Sequence, residues 1–320
     1  MYFFDYLAGT ITLSASGKAG KCIKSDGALT IGDENGGPTI TATTSGEKIG
    51  SSSNSGRPGP GGGSSTSGDT TSSPKAIKCE GAFVMEDGDL TINTSTDGAE
   101  GIESKTSMDF NGGSVYVKTY DDCINSAGII RLAGTRIYAW STGNDAIDSN
   151  ALTTGAITVS GGIVIAFSTA GGAECALDAD NAALVVSGGY LFAAYGSSSN
   201  GGFGGFGGGG AGNITVPNSS TATQPTVLAS GISLSPSKYI SVCDSQGTLL
   251  FSFLAPVTIS SSTSLISCPE FASGKTYSIG SFTAAPTGCD SEWNGFSIGG
   301  SASSITTSKT FTFSRNYISI

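Results

Sequence analysis

The chain has 320 residues and a formal net charge of −10, because 25 acidic residues outnumber 15 basic ones. It contains no histidine, which excludes Ser-His and Cys-His nucleophile pairs and the usual zinc ligands. The acidic balance disfavours a nucleic-acid partner, and no apolar run reaches the roughly 18 to 20 residues that cross a bilayer, so we expect no membrane span.

The N-terminal segment carries no recognisable signal peptide. Residues 1–7 (MYFFDYL) are few and include an acidic residue where a signal peptide needs basic ones. A short aromatic segment with open β edges is instead a template for strand addition. Its partner is left open by the sequence.

A short phrase recurs through the next part of the chain: an acidic residue, a small residue, an apolar residue, any residue and a small polar or acidic one. Its copies lie at residues 100–104, 122–126, 145–149 and 174–178, each followed by a glycine-led run of alternating apolar residues. The apolar positions Ile102, Ile124, Ile147 and Ala176 are 22, 23 and 29 residues apart by subtraction. Strand-only units of this period cannot bury their own apolar edge and must stack. The sequence therefore predicts an all-β, right-handed parallel β-helix.

Composition divides the chain into three parts. Residues 1–195 hold the repeats, and the early copies at 18–25 and 75–79 carry lysines where later copies carry acids. Residues 50–73 are almost entirely Gly, Ser, Thr and Pro and predict a flexible excursion. Residues 196–212 form a glycine-rich loop. Residues 213–320 alternate apolar and polar residues between Pro and Gly, which predicts a β-rich C-terminal cap or a small antiparallel domain.

The glycine-led runs predict an aromatic wall. If Val115, Ile137, Val164 and Leu191 point inward, the alternate residues point outward and align at the strand spacing of about 4.8 Å. Exposed, such a wall is a platform for sugar rings; the alternative is that the C-terminal part or another subunit covers it. The predicted ligand-binding residues are Tyr116, Lys118, Arg136, Tyr138, Trp140, Phe167, Tyr190 and Phe192.

The phrase also predicts an acidic ladder. Like charges one repeat apart repel by roughly 3 kcal/mol per pair at about 5 Å, so a cation is expected to offset them. Carboxylate and amide oxygens without imidazole favour Ca²⁺, and the alternative is a solvated acidic edge. The predicted metal ligands are Asp97, Glu100, Glu103, Asp121, Asp122, Asn144, Asp145, Asp148, Glu174 and Asp178.

Seven cysteines are too few for a disulfide scaffold. Cys22, Cys123 and Cys175 stand where the phrase expects a small side chain in the core. The best candidates for a disulfide are Cys268 and Cys289.

An enzymatic interpretation rests on two short segments. Residues 93–98 (NTSTDG) and 120–123 (YDDC) resemble the aspartate motifs of the polygalacturonase family, whose carboxylates cleave glycosidic bonds. That family also carries a Gly-His-Gly segment, which a chain without histidine cannot supply. A lyase would instead need Lys105, Lys118, Arg131 or Arg136 beside the acids. We expect no catalytic residues and no enzyme activity.

A longer resemblance covers nearly all of the chain. Segments such as residues 21–27 (KCIKSDG), 121–126 (DDCINS) and 160–165 (SGGIVI), with the tail 267–277 (SCPEFASGKTY), resemble the DUF4353 family of secreted carbohydrate-binding β-helix proteins. The resemblance implies a right-handed parallel β-helix with calcium between its turns and non-catalytic binding of cellulose or pectic acids. It also implies an extracellular or cell-surface location. The competing hypothesis is a structural subunit that joins copies of itself into a filament by strand addition.

Overall fold

A computed structural model describes residues 9–50, 72–170, 174–180, 182–196 and 214–320. Every regular element in these ranges is a β-strand, which confirms the prediction of an all-β chain. None of the described residues forms a helix with the length and hydropathy that a bilayer crossing requires. The predictions for residues 1–7, and for most of the two low-complexity segments at 50–73 and 196–212, fall outside the described residues.

The first part of the chain is built from short strands. In chain order they are β1 (Thr10–Ala15), β2 (Lys21–Ser25), β3 (Leu29–Ile31), β4 (Thr39–Thr44), β5 (Lys75–Cys79), β6 (Phe83–Met85), β7 (Asp89–Thr94), β8 (Glu100–Ser104), β9 (Met108–Phe110), β10 (Ser114–Thr119), β11 (Ile124–Ser126), β12 (Ile130–Leu132), β13 (Arg136–Ser141), β14 (Ile147–Ser149), β15 (Ile157–Ser168), β16 (Leu177–Asp178) and β17 (Val185–Gly196).

Longer strands with polar loops follow. They are β18 (Thr226–Leu234), β19 (Tyr239–Asp244), β20 (Leu249–Leu254), β21 (Ile259–Ser267), β22 (Thr276–Phe282), β23 (Ser291–Trp293), β24 (Phe296–Ile298), β25 (Thr306–Thr312) and β26 (Tyr317–Ser319).

Successive repeats of three strands pair in parallel, strand for strand. The first strands form a six-stranded sheet in the order β16-β14-β11-β8-β5-β2, which we call the narrow sheet. The second and third strands belong to a 14-stranded sheet, the wide sheet, in which β15 pairs with both β12 and β13. Strands β1 to β17 therefore pair with one another in parallel, not as antiparallel hairpins.

The residues that the alternation places inward form one core. Val115, Ile137, Val164 and Leu191 are aligned in one register and fully buried, as predicted. Burying each such side chain contributes about 1.5–3 kcal/mol. The glycine that leads each run is required by the backbone: Gly113 has φ of +72°, and a Cβ there would lie 2.2 Å from the carbonyl oxygen of Gly88.

The C-terminal strands extend one end of the wide sheet and also form a third sheet. β17 pairs antiparallel with β21, β21 with β18, and β18 in parallel with β26. The remaining strands form the C-terminal sheet, in the antiparallel order β23-β24-β20-β19-β22-β25. Asp244 stabilises the loop between β19 and β20, because its carboxylate accepts hydrogen bonds from the backbone N–H groups of Gln246 and Thr248. The prediction of a β-rich C-terminal part is thus confirmed.

All seven cysteines are free thiols. Cys123 and Cys175 are buried, as expected of small core side chains, and Cys22 is half-buried. The predicted disulfide between Cys268 and Cys289 is wrong, because Cys268 lies in the core against the C-terminal sheet while Cys289 lies half-exposed in a separate loop.

Candidate functional site

The first strand of each repeat carries the acidic phrase into the narrow sheet. Ile102, Ile124 and Ile147 pair in one column, which confirms the predicted stacking of three copies. The backbone N–H of Asp145 donates to Asp122 Oδ1 at 3.1 Å. Asp122 and Asp145, the acids of two successive phrases, are therefore direct neighbours.

The fourth copy is shifted by one residue from the prediction. Leu177, not Ala176, pairs with Ile147, and Asp178 pairs with Asp148. Ala176 and Leu177 are both buried, and the larger of the two side chains takes the place beside Ile147. The predicted place of Glu174 in the acidic column is therefore wrong, because that residue falls before the ladder.

Lysines of the preceding repeat neutralise two predicted ligands. Lys75 forms a buried ion pair with Glu100, and its Nζ lies 3.4 Å from Glu103 Oε2. Lys78 Nζ lies 3.7 Å from the same oxygen, and Lys105 pairs with the other one. Burial acts to raise the pKa of Glu103, but the three lysines outweigh it and lower that pKa. Lysines therefore already balance the charge of Glu103, and we leave this residue out of the candidate ligand set.

Three other predicted ligands lie on turns beside the ladder. Asp97 is exposed and pairs with Lys48 at 2.5 Å, so it belongs to a surface ion pair. The described hydrogen bonds of Asn144 are made by its backbone, whose N–H donates to Ser141 Oγ at 2.9 Å. Asp121 is half-buried and adds negative charge next to the ladder. Asp97 and Asn144 are therefore removed from the candidate ligand set.

Four carboxylates remain together, and we call Asp122, Asp145, Asp148 and Asp178 the acidic cluster. In the part of the chain that the structure describes, none of the four forms a salt bridge. Burial, with the charges of Asp121 and Asp148, raises the pKa of Asp122 to about 9. Burial, with the charge of Asp178, raises the pKa of Asp148 to about 7. The cluster is thus costly to ionise without a counter-charge.

Cys175 borders the acidic cluster and takes the place that the phrase gives to an acid. Its backbone N–H donates to Asp145 Oδ1 at 2.5 Å, and Sγ lies within 4.8 Å of oxygens of Asp145 and Asp178. Burial raises the pKa of the Cys175 thiol, and the thiol donates to the Leu177 carbonyl at 3.1 Å. The cluster therefore offers its carboxylate oxygens to a cation, and not the Cys175 thiol.

Glu100 contributes an unpaired oxygen next to the cluster. Lys75 binds Oε1, while Oε2 is buried and has no hydrogen-bond partner among the described residues. Burial raises the pKa of Glu100 against the pull of Lys75, and the charge of Glu100 in turn raises the pKa of Asp122. A buried, unpaired carboxylate oxygen beside four other carboxylates fits a hard cation.

The aromatic wall is covered by the C-terminal sheet. Tyr138, Phe167 and Phe192 are buried in a second core. Phe253 of β20 lies at ring-centroid distances of 6.3, 5.1 and 5.2 Å from these three rings, respectively. The interpretation of these three residues as an exposed sugar platform is wrong, and the alternative that the C-terminal part covers the wall is confirmed.

The flanking residues of the wall are half-buried and engaged by neighbours. The Tyr190 hydroxyl donates to Glu270 Oε1 at 2.6 Å. Lys118 Nζ lies 4.0 Å from the centre of the Trp140 ring, a cation–π contact. Arg136 lies over Trp293, with Cζ 5.7 Å from the ring centre. Of the predicted ligand-binding residues, Tyr116 is left as the rim of the wall.

A groove opens at this rim, between the wide sheet and the hairpin of β23 and β24. Tyr116 and Trp293 supply its aromatic sides, and its volume is about 440 Å³. The remaining lining residues are Asp89, Leu90, Thr91, Ser114 and Asn294. The groove therefore combines exposed aromatic surface with a carboxylate, hydroxyls and an amide.

Comparison with protein-family models, with curated proteins and with solved structures gives no match for this chain.

The sequence did not single out the groove or the strands below it. Trp293 is about 180 residues from Tyr116 in the chain, and no local pattern joins them. The outward residues of β1, β4 and β7 are all polar, while those of β13, β15 and β17 are mostly apolar. This change from polar to mostly apolar outward residues is visible in the sequence. It marks the edge of the surface that the C-terminal sheet covers.

Proposed function

We propose that the repeats wind as a right-handed parallel β-helix. Equivalent strands of successive repeats pair in parallel and in register in both the narrow and the wide sheet, which supports it. Connections between parallel strands of one sheet are right-handed in nearly all proteins. On this proposal residues 1–195 form the helix and residues 213–320 its C-terminal cover.

The function that the geometry supports best is non-catalytic binding of a polysaccharide. The observation that carries it is the polar outer face of β1, β4 and β7, which we call the polar face. Its outward side chains align in three columns and are exposed or half-buried. They are Thr10, Thr12, Ser14, Thr39, Thr41, Thr43, Asp89, Thr91 and Asn93.

The polar face suits a long, regular ligand. Its strands lie about 4.8 Å apart and its outward residues recur about every 6.6 Å along each strand, so hydroxyls and amides form a flat array. A glycan chain of the cellulosic or pectic type presents hydroxyl groups at similarly regular intervals, and the array can donate to and accept from them. The resemblance to the DUF4353 family supports the same ligand class and an extracellular or cell-surface location.

We propose Ca²⁺ as the cation of the acidic cluster. The oxygen-only donor set of Asp122, Asp145, Asp148 and Asp178 supports it, as does the unpaired Oε2 of Glu100. When bound, the ion supplies the positive charge that these carboxylates lack. The ligands come from neighbouring strands, so the same contact would tie successive repeats together.

Binding of purified protein to insoluble cellulose and to immobilised polygalacturonate tests the proposed function. The full chain is expected to co-sediment with at least one glycan. Thr39→Val with Thr41→Val, which removes two hydroxyls from the polar face at nearly constant volume, should weaken binding several-fold. Thr307→Val on the exposed edge strand β25 is the matched control. Absence of binding to both glycans would contradict the proposal.

A filament subunit is the second candidate, favoured by one observation. β1, β2 and β3 each pair on one side only among the described residues, which leaves half-buried Leu13, Ile23 and Leu29 at that end. If two copies met at this end, Lys21 and Lys24 of one copy would face the same two lysines of the other copy and repel them. A strand that pairs there must therefore carry acidic residues. Filaments in negative-stain micrographs of purified protein would favour this candidate.

A further inference from the structure

The aromatic wall ends in a ring with an uncovered face. Tyr116 stacks on Tyr138 at a centroid distance of 5.0 Å and an interplanar angle of 15°. The next residue in the same column is Thr91 of β7, which pairs with Tyr116 across the parallel ladder. Threonine fills far less space than a ring. The stack of rings therefore ends at Tyr116, and the face of Tyr116 on the Thr91 side borders the groove.

Polar groups surround this missing layer. The Ser114 hydroxyl donates to Asp89 Oδ1, which fixes the carboxylate at one edge of the groove. Asn294 occupies the turn between β23 and β24 in a left-handed conformation, with φ of +46°, and lines the opposite edge. Trp293, in the same hairpin, holds a T-shaped contact with Tyr138 at 6.5 Å. The hairpin is thereby anchored to the wall and overhangs the groove.

We propose that the groove binds a neutral pyranose unit, stacked on Tyr116 in the layer that Thr91 leaves open. The apolar face of a sugar ring packs on an aromatic face, and its hydroxyls reach groups at the ring edge. Asp89 can accept from such hydroxyls, while Thr91 and Asn294 can both donate and accept. This inference rests on the proposed function, for which it names the anchoring subsite and the sugar class.

The charge of the groove selects against an acidic sugar. Asp89 is the charged residue that lines it, and a uronate bound on Tyr116 would place a second carboxylate nearby. The two cations of the wall are not among the residues that line the groove: Arg136 lies over Trp293 and Lys118 over Trp140. Like charges within a few ångströms disfavour binding. A glucan is therefore preferred to a pectic acid at this subsite.

The experiment fills the space next to Tyr116, where the sugar is proposed to stack, with another side chain. Thr91→Tyr places a ring where the sugar would stack, and Thr307→Tyr makes the same change at an exposed position of β25 as the matched control. Tyr116→Ala removes the stacking face by a separate route. Affinity for cellopentaose and for penta-galacturonate is measured by calorimetry on the full chain, and thermal unfolding checks that each variant is folded.

The expected result is that the wild type prefers cellopentaose, that Thr91→Tyr and Tyr116→Ala each lose at least tenfold in affinity, and that Thr307→Tyr retains it. Unchanged affinity in folded Thr91→Tyr or folded Tyr116→Ala would overturn the subsite while leaving the proposed function intact. Preference for penta-galacturonate would overturn the sugar class. A wild type that binds neither oligosaccharide nor either polymer would overturn the proposed function as well.

Discussion

Lys75 and Glu100 form an ion pair across neighbouring strands of the narrow sheet, and both side chains are buried. Lys75 also lies beside Glu103, so one ammonium group serves two buried carboxylates. Below it in the same column stands another lysine, Lys21 of β2. The narrow sheet thus changes from basic to acidic between β5 and β8.

Lys75→Met is expected to destabilise the protein by about 3–5 kcal/mol, because it leaves two buried carboxylates without their shared partner. The control is Lys18→Met, which breaks an ion pair with Glu47 in which both side chains are largely exposed. Such a surface pair is worth about 0–1 kcal/mol. Urea unfolding measures both. Equal effects of the two substitutions would show that the buried pair has no special role.

The stability of the calcium-free protein is expected to fall as pH rises. Burial and neighbouring carboxylates raise the pKa values of Asp122 and Asp148 in the folded state to about 9 and about 7, from the ordinary value of 3.8. Folded protein therefore holds protons that unfolded chains release, so this contribution is complete below about pH 4 and is lost as pH rises through 7 and then 9. Urea midpoints recorded in a chelator between pH 4 and pH 9 measure it. Asp148→Asn should make the profile less steep between pH 4 and pH 7, and a slope unchanged in that variant would contradict the assignment.

Calcium is expected to stabilise the protein at neutral pH. One site filled at about 100 times its dissociation constant adds about 2.7 kcal/mol to the free energy of unfolding. Asp148→Asn and Asp178→Asn should each weaken this gain, because both remove a charged oxygen from the acidic cluster. Asp290→Asn, exposed in a loop near the C-terminal sheet, is the matched control. Thermal unfolding with calcium and with a chelator measures the gain, and identical curves for the wild type would refute the site.

Phe253→Ala is expected to cost about 3–5 kcal/mol, the usual range for deleting a buried aromatic side chain. Phe253 is fully buried and contacts the wall through Tyr138, Phe167 and Phe192. Tyr239→Ala is the comparison, because Tyr239 is half-buried and stacks on Phe282 away from the wall. Denaturant unfolding should rank Phe253 well above Tyr239. A cost below about 1 kcal/mol would mean that the C-terminal sheet does not seal the wall.

Local pattern predicted the register where the phrase is unambiguous. Ile102, Ile124 and Ile147 are each the one large apolar residue of their copy, and they pair as expected. In the fourth copy both Ala176 and Leu177 are apolar, so either can be taken as the apolar position of the phrase. Both are buried, and the pairing of Leu177 with Ile147 decides between them, which is a property of packing rather than of spacing.

The chemistry of the wall and the C-terminal part as one possible cover were predictable, but the residues that cover it were not. Strand alternation placed Tyr138 and Phe192 outward, and both do face away from the first core. Their partner Phe253 belongs to β20, more than 50 residues further along the chain. No period or motif encodes such a contact. The same holds for Trp293, which completes the groove from a distant hairpin.

The outer surface of the wide sheet changes at Tyr116 from a covered aromatic part to an exposed polar part. Beyond it the outer side of the wide sheet packs against β20, whereas the outward side chains of β1, β4 and β7 are exposed or half-buried. Duplication of one three-strand unit in this free region would lengthen the open array by one rung, about 4.8 Å, without disturbing the sealed half. The reach of the protein along an extended ligand can therefore be set by copy number alone.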